Sequence, residues 1–178
     1  MKRKFSIVYA WAVRVLTFFL PDIPLFMAFR GRLYSFVMAS AGSNFQVTHS
    51  AILNSISELS VGKNVYFANG VSLLCGGGVF VDDDVLVGPG VVISSDNHTF
   101  EQDYGYRFGA IELGRVEVGR GSWLCANSVV VRGSCIPPRS VLGPCSVFTS
   151  STLVSGEGIY SGNPAIFRQR KFSSVKGA

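Results

Sequence analysis

The sequence predicts an all-β chain wound as a parallel β-helix behind an N-terminal helical segment. Three observations carry this. Apolar residues recur every six positions without a slip at Val118, Leu124, Val130, Ile136, Leu142 and Phe148. Small residues follow four places later, at Ser122, Ser128, Ser140 and Ser146. Charged residues make up only 15% of the chain, against roughly 25% in an average soluble domain, while glycine contributes 20 of 178 residues. A period of six cannot keep one face of a helix buried, because helical faces repeat at 3.6 residues. It suits short strands that each send one aliphatic side chain into a central stack and then turn at a fixed corner. Glycine and other small residues fit such corners, and coils stacked on coils leave little helical surface to carry charge.

The first element is different. Residues 5–20, FSIVYAWAVRVLTFFL, are strongly apolar, with Arg3, Ser6, Ala10, Arg14 and Thr17 forming a narrow polar stripe at helical spacing. Pro21 and Pro24 end that helix, and a second helix is expected from about Leu25 to Ala39, stopping near Gly42. The basic start followed by an apolar run imitates a signal peptide. Arg14 interrupts the run and no small-residue cleavage site follows, so packing on the main domain or peripheral attachment of residues 1–20 to a membrane surface is expected instead. No run of 18 apolar residues lacks a charge, which argues against a membrane span.

The repeats begin at Val47. Val47, Leu53 and Leu59 read as a first, weaker turn; Val61, Phe67 and Leu73 follow; a slip of two residues then leads to Val81, Val87 and Ile93. Gly76-Gly77-Gly78, at the slip, reads as a corner or small bulge rather than a phosphate loop. The repeat breaks between Ile93 and Val118, and an excursion of that length from a regular coil reads as an active-site loop, 94–117. The expected organisation is therefore a helical segment over 1–42, a β-helix over 43–167 and a basic tail over 168–178.

Charge and cysteine content narrow the chemistry. The net charge of +5 is the sum of +5 over residues 1–32, −4 over 33–167 and +4 over 168–178. Basicity at the two ends, not along the folded body, disfavours nucleic acid and suits separate anionic contacts. Cys75, Cys125, Cys135 and Cys145 form no C-x-x-C pair and suit small core residues in a reducing compartment. With His49 and His98 the only histidines, a zinc site built from three histidines has too few ligands, and no metal is expected.

The pieces VGKNVYFANGVSL (61–73), VDDDVLVGPGVVI (81–93), SSDNHTF (94–100), VGRGSWLCANSVVV (118–131), LGPCSVFTS (142–150) and SGNPAIFRQR (161–170) resemble, in this order, the hexapeptide-repeat acyltransferases. An Asn-His loop, a Trp in the next coil and a terminal Gly-Asn-Pro-Ala are similar to the branch of sugar and polysaccharide O-acetyltransferases and antibiotic acetyltransferases. The resemblance implies a left-handed parallel β-helix, acetyl-coenzyme A as cosubstrate, and a homotrimer with active sites in the clefts between neighbours.

Within the loop, His98 is the candidate base: acyl transfer to a hydroxyl needs a group that can take a proton near neutral pH, and imidazole does so. The resemblance assigns the same role to it. Asp96, Glu101, Asp103, Glu112, Glu117 or a backbone carbonyl could fix its tautomer, and the sequence does not choose. Asp96, Asn97, Tyr104 and Tyr106 are candidate acceptor contacts, with Phe108 adding aromatic surface. By resemblance Trp123 lies near the site, and Ala126, Gly143, Pro144, Thr149 and Ser150 lie along the pantetheine arm. Pro144 stands where the family commonly has alanine, Ser150 where it has lysine, and Ile166 where it often has a basic residue. Arg168 and Arg170 are candidates for the phosphates of coenzyme A. The expected function is acetyl-coenzyme A-dependent O-acetylation of a sugar in bacterial surface polysaccharide synthesis, cytoplasmic or peripheral at the inner membrane face beside lipid-linked glycans. N-acetylation of an aminosugar, acetylation of an antibiotic, and a non-catalytic trimeric scaffold are the alternatives.

Overall fold

The computed structural model describes residues 2–169. Two helices, α1 (Lys2–Leu16) and α2 (Pro24–Ser35), precede a solenoid of short parallel strands. Its three faces are parallel sheets of five, six and five coil strands. We call them A, B and C in the order the chain visits them within each coil. The predicted parallel β-helix with an N-terminal helical segment is the observed architecture.

Register shows how the period of six builds it. Ala41, Val61, Val81, Val118 and Ile136 stack on face A. Val47, Phe67, Val87, Leu124, Leu142 and Tyr160 stack on face B. Leu53, Leu73, Ile93, Val130 and Phe148 stack on face C. Nearly all of these side chains are buried in one continuous core. Truncating one, for instance Leu124→Ala, is expected to cost about 2–5 kcal/mol. The early slip is real: the face-C-to-face-A corner of the first coils holds two extra residues, so Val61 and not Leu59 continues the face-A column. Leu59 is buried beside it, paired with Val79. The small residues at corners are buried as expected; Ser122 Oγ donates to the Pro137 carbonyl at 3.0 Å and accepts from Ser140 N–H at 3.2 Å.

The edge between faces A and B is spelled by Asn44, Asn64 and Asp84 in the left-handed region, which short polar side chains tolerate. They form a ladder in which Asn44 donates to Asn64 and Asn64 to Asp84. The Asn64 hydrogen bond, with Arg120 beside it, holds the Asp84 carboxyl below the usual carboxylate range.

The second helix ends at Ser35, four residues before the expected Ala39, because the chain must turn over 36–38 to enter the first face-A strand, Ser40–Ala41. Gly31 lets α2 sit directly on the first coil, since a Cβ there would clash with the Phe45 carbonyl. Arg30 is fully buried and donates to Thr17 Oγ1, the carbonyls of Thr17, Leu20 and Val47, and Asp22 at 3.1 Å. Asp22 in turn holds His49, accepting from its backbone N–H at 2.9 Å and lying 2.7 Å from Nδ1. This network pins the α1–α2 turn to the open end of the solenoid.

Candidate active site

The loop expected over 94–117 leaves the edge between faces C and A and returns to it. Its base is an antiparallel hairpin, Asp96–His98 against Ile111–Leu113, with His98 opposite Ile111, Asn97 opposite Glu112 and Asp96 opposite Leu113. The glycine corner lies beneath. Gly78 adopts φ +92°, and a Cβ at Gly77 would strike the backbone of Ser95 and Gly114 at the hairpin base. Gly76-Gly77-Gly78 is therefore a corner, as read from the sequence, and its lack of side chains lets the hairpin seat.

Alternation along the strand places His98 and Asp96 on one side of the hairpin and Asn97 on the other. His98 is exposed and makes no side-chain hydrogen bond among the described residues. Of the acids near it in sequence, Glu112 faces the Asn97 side and is bound by Arg132 at 2.7 Å, and Glu117 is paired with Arg115 at 3.0 Å. Asp96 shares the His98 side of the hairpin base, and its carboxylate accepts from Ser94 Oγ at 3.0 Å; Glu101 and Asp103 lie in the exposed turn beyond it. Tyr104, Tyr106 and Phe108 lie at the exposed tip, where Phe100 packs edge-on with Tyr106 and Tyr104 with Phe108.

Two further residues reach this edge that sequence reasoning did not assign to it. Arg132, from the next coil, ties the hairpin down through Glu112. Arg3, from α1, donates to Ser55 Oγ at 3.0 Å, and its guanidinium and the Asp96 carboxylate both abut Gly76. Both are long-range contacts with no local sequence signal.

The residues expected along the pantetheine arm fall on two edges. Ala126, Gly143 and Pro144 are on the edge between faces B and C, one coil above another, with Cys145 N–H donating to the Ala126 carbonyl at 3.0 Å. The corner position of Ala126 is occupied by Pro89 in the coil before and Pro144 in the coil after, so it presents the one peptide N–H of the three. That N–H makes no hydrogen bond among the described residues. Thr149 and Ser150 are on the edge between faces C and A, where Ser150 packs on Gly133. Trp123 is 48% exposed on the outside of face B, the face opposite the His98 edge, so one chain does not bring it to His98. It stands in an outward apolar row with Tyr66, Leu86, Val141 and Ile159. Arg168 lies in a strand, Ile166–Gln169, that pairs antiparallel with Ile159–Ser161, so the first residues of the expected tail are part of the sheet. Its Nε donates to Ser161 Oγ at 3.2 Å, beside the Gly143 corner. Arg170 lies outside the described residues.

The four cysteines are free thiols, Cys75 and Cys125 buried and Cys135 and Cys145 exposed. Burial pushes the Cys75 and Cys125 thiols up. Among the described residues there is no cluster of three metal-ligating side chains.

Compared with models of protein families, the chain matches none. A galactoside O-acetyltransferase of Lactococcus lactis is 29% identical over 115 residues, covering 61% of this chain. The chain spans about half, 54%, of the length of that curated relative. Among solved structures, a hexapeptide-repeat-containing acetyltransferase from Vibrio cholerae superposes with a TM-score of 0.74 at 17% identity, over 95% of this chain and 92% of that one. A galactoside acetyltransferase in complex with coenzyme A gives a TM-score of 0.68 at 18% identity, over 93% and 80%. An N-acyltransferase from Bacillus cereus, in complex with dTDP and coenzyme A, gives 0.60 at 14% identity, over 81% and 90%. The solenoid is the left-handed β-helix of these acetyltransferases.

Proposed function

We propose that this chain, a member of the hexapeptide-repeat β-helix family, is an acetyltransferase that moves an acetyl group from coenzyme A to a sugar hydroxyl in surface polysaccharide synthesis. The observation that carries the reading is the hairpin that breaks the solenoid at one edge and presents His98 outward with Asp96 on the same side. The likeness to a galactoside O-acetyltransferase over 115 residues favours a hydroxyl acceptor over an amine.

Acetyl-coenzyme A supplies the activated thioester. His98 takes the proton from the acceptor hydroxyl as its oxygen attacks the thioester carbon. Collapse of the resulting adduct breaks the carbon–sulfur bond, and the His98 imidazolium returns the proton to the departing thiolate. The products are an acetyl ester and a free thiol. The reading gives Asp96, on the same side of the hairpin, the role of holding the imidazolium. In this reading the Ala126 N–H meets the cofactor's amide arm as it passes the Gly143 corner, and Arg168 meets its phosphates. With a proline in place of alanine at 144 and serine in place of lysine at 150, that arm is held by backbone groups more than by charge.

These residues occupy separate edges and an opposite face of one chain, and the reading completes the site between copies. The outward row of Tyr66, Leu86, Trp123, Val141 and Ile159 supports burial against a neighbour, because an apolar row of that kind is a poor solvent face. A homotrimer then sets the His98 hairpin of one copy against the Trp123 face of the next. A donor made in the cytoplasm, together with four free thiols, favours a cytoplasmic site of action.

The test is thiol release from acetyl-coenzyme A over a panel of galactosides, sugar nucleotides and aminosugars, with the product separated from acetyl-coenzyme A and treated with alkaline hydroxylamine. Acceptor-dependent thiol release and a hydroxylamine-labile product are expected. A stable acetamide would move the reading to N-acetylation. An intact trimer that releases no thiol with any acceptor would leave a scaffold.

A further inference from the structure

The N-terminal helix packs the wrong way round for a soluble protein. Its polar and small stripe, Ser6, Ala10, Val13 and Thr17, faces the solenoid and is buried. Ser6 Oγ donates to the Arg3 carbonyl and Thr17 Oγ1 to the Val13 carbonyl, so these hydroxyls cost nothing unpaired inside. The bulky side chains point out. Phe5, Val8, Trp11, Val15 and Leu16 are exposed along α1, and Phe18 and Phe19 beyond it, with Leu16 at 81% and Phe19 at 91%. Phe29 on α2 adds to the same end of the molecule.

A face of this kind needs an occupant, and its charges select one. Lys2 and Lys4 are exposed at the start of the helix, and Lys4 falls within the apolar face by helical spacing. The sole acid over residues 1–32, Asp22, is turned inward to Arg30 and His49. A second copy meeting this face would bring like charge against like charge. An anionic lipid surface meets the apolar side chains with acyl chains and the lysines with headgroups, and long lysine stems reach from one to the other. Among the described residues no helix is long and apolar enough to cross a membrane, so this element lies on the surface.

We propose that α1 and the turn that follows it dock this protein on an anionic lipid bilayer. The same helix carries Arg3 to the Gly76 corner beside Asp96, so the docked element and the His98 hairpin share one edge. Docking holds that edge beside the bilayer and selects an acceptor that is itself held there, a lipid-linked glycan. The docking stands apart from the acetyl-transfer reading, because it is measured without acetyl-coenzyme A.

The experiment is co-sedimentation of the full chain with vesicles of phosphatidylcholine alone and of an equimolar mixture with phosphatidylglycerol, at low and high salt. The wild type is expected to pellet with the mixture, far less with phosphatidylcholine alone, and less at high salt. Leu16→Glu with Phe19→Glu should reduce binding to the mixture at least about tenfold. Lys2→Gln and Lys4→Gln should each weaken it about fivefold. Circular dichroism checks that each variant is folded, and Trp11→Gln on the same helix face gives a second reading should the double variant fail to fold. A wild type that stays in the supernatant overturns the proposal, as does a double variant that pellets equally well. So does a lipid-free assembly larger than a trimer that the double variant dissolves, since a second copy would then cover the face.

Discussion

The two histidines stand in opposite settings. His49 is tied down although a third exposed: Asp22 holds both its backbone N–H and its ring, Phe18 lies edge-on at 5.4 Å, and the buried Arg30 closes the network behind them. His98 stands on an exposed hairpin with no bond from its ring among the described residues. A ring gripped through Nδ1 by an acid of its own chain is a fastening. A ring presented unspent, on an excursion that a regular solenoid could do without, is available to a substrate and to a neighbouring copy. The difference teaches which histidine the fold itself uses and which it leaves free for the proposed chemistry.

That contrast can be broken from either side. The largest effect is expected from His98→Ala, which should lower acetyl transfer by about 10²–10⁴-fold while leaving thermal unfolding unchanged. A variant with wild-type turnover would remove the assignment. On the fastened side, Arg30→Met should destabilise the helical cap by about 3–5 kcal/mol, because it strands Asp22 without its buried partner. Denaturant melts would show this, and an unchanged midpoint would mean the network is decorative. His49→Ala should cost only about 1 kcal/mol and spare turnover. Loss of turnover without loss of stability there would reverse the roles of the two histidines. Arg132→Ala frees the hairpin from its neighbouring coil and should lower turnover up to about fivefold, the size of a partly exposed ion pair.

The cap also carries a pH signature. Burial pushes the Tyr34 phenol up to about 12, against the pull of Arg30 and Arg14. A folded-state value above the unfolded one means that the folded state keeps its proton more tightly. Its contribution to stability is complete below about pH 10 and lost as pH rises towards about 12. Melting temperature should fall across that window in the wild type and fall less in Tyr34→Phe.

Much of the fold was legible because a solenoid writes its geometry locally. Each six-residue unit places its own strand, so the columns from Val118 to Phe148 could be read directly. Reading failed where register was set by something distant. Val61, not Leu59, continues its column because the corner before it is longer, and α2 stops at Ser35 because the first strand begins at Ser40. The polar stripe of α1 was visible, but its direction was not, since periodicity shows that a helix has two faces and not which one the solenoid takes. The candidate site could be named as residues and not as an arrangement. His98, Trp123 and Ala126 were all read from the sequence, yet their distribution over an edge, the opposite face and a second edge depends on stacking order. Arg132 and Arg3 had no signal, because each acts across coils.

The central claim is that the site is completed between copies, and mixed trimers test it most directly. His98→Ala removes the base. Ala126→Pro removes the free corner N–H at a position that Pro89 and Pro144 already occupy in adjacent coils, so it should fold. Each variant alone should be inactive or nearly so. Unfolding and refolding the two together should restore acetyl transfer, because some interfaces then combine an intact His98 with an intact Ala126 from different chains, while both defects fall together at others. Mixtures no more active than the separate variants, with mixed trimers confirmed by mass, would contradict the account and return the whole site to a single chain.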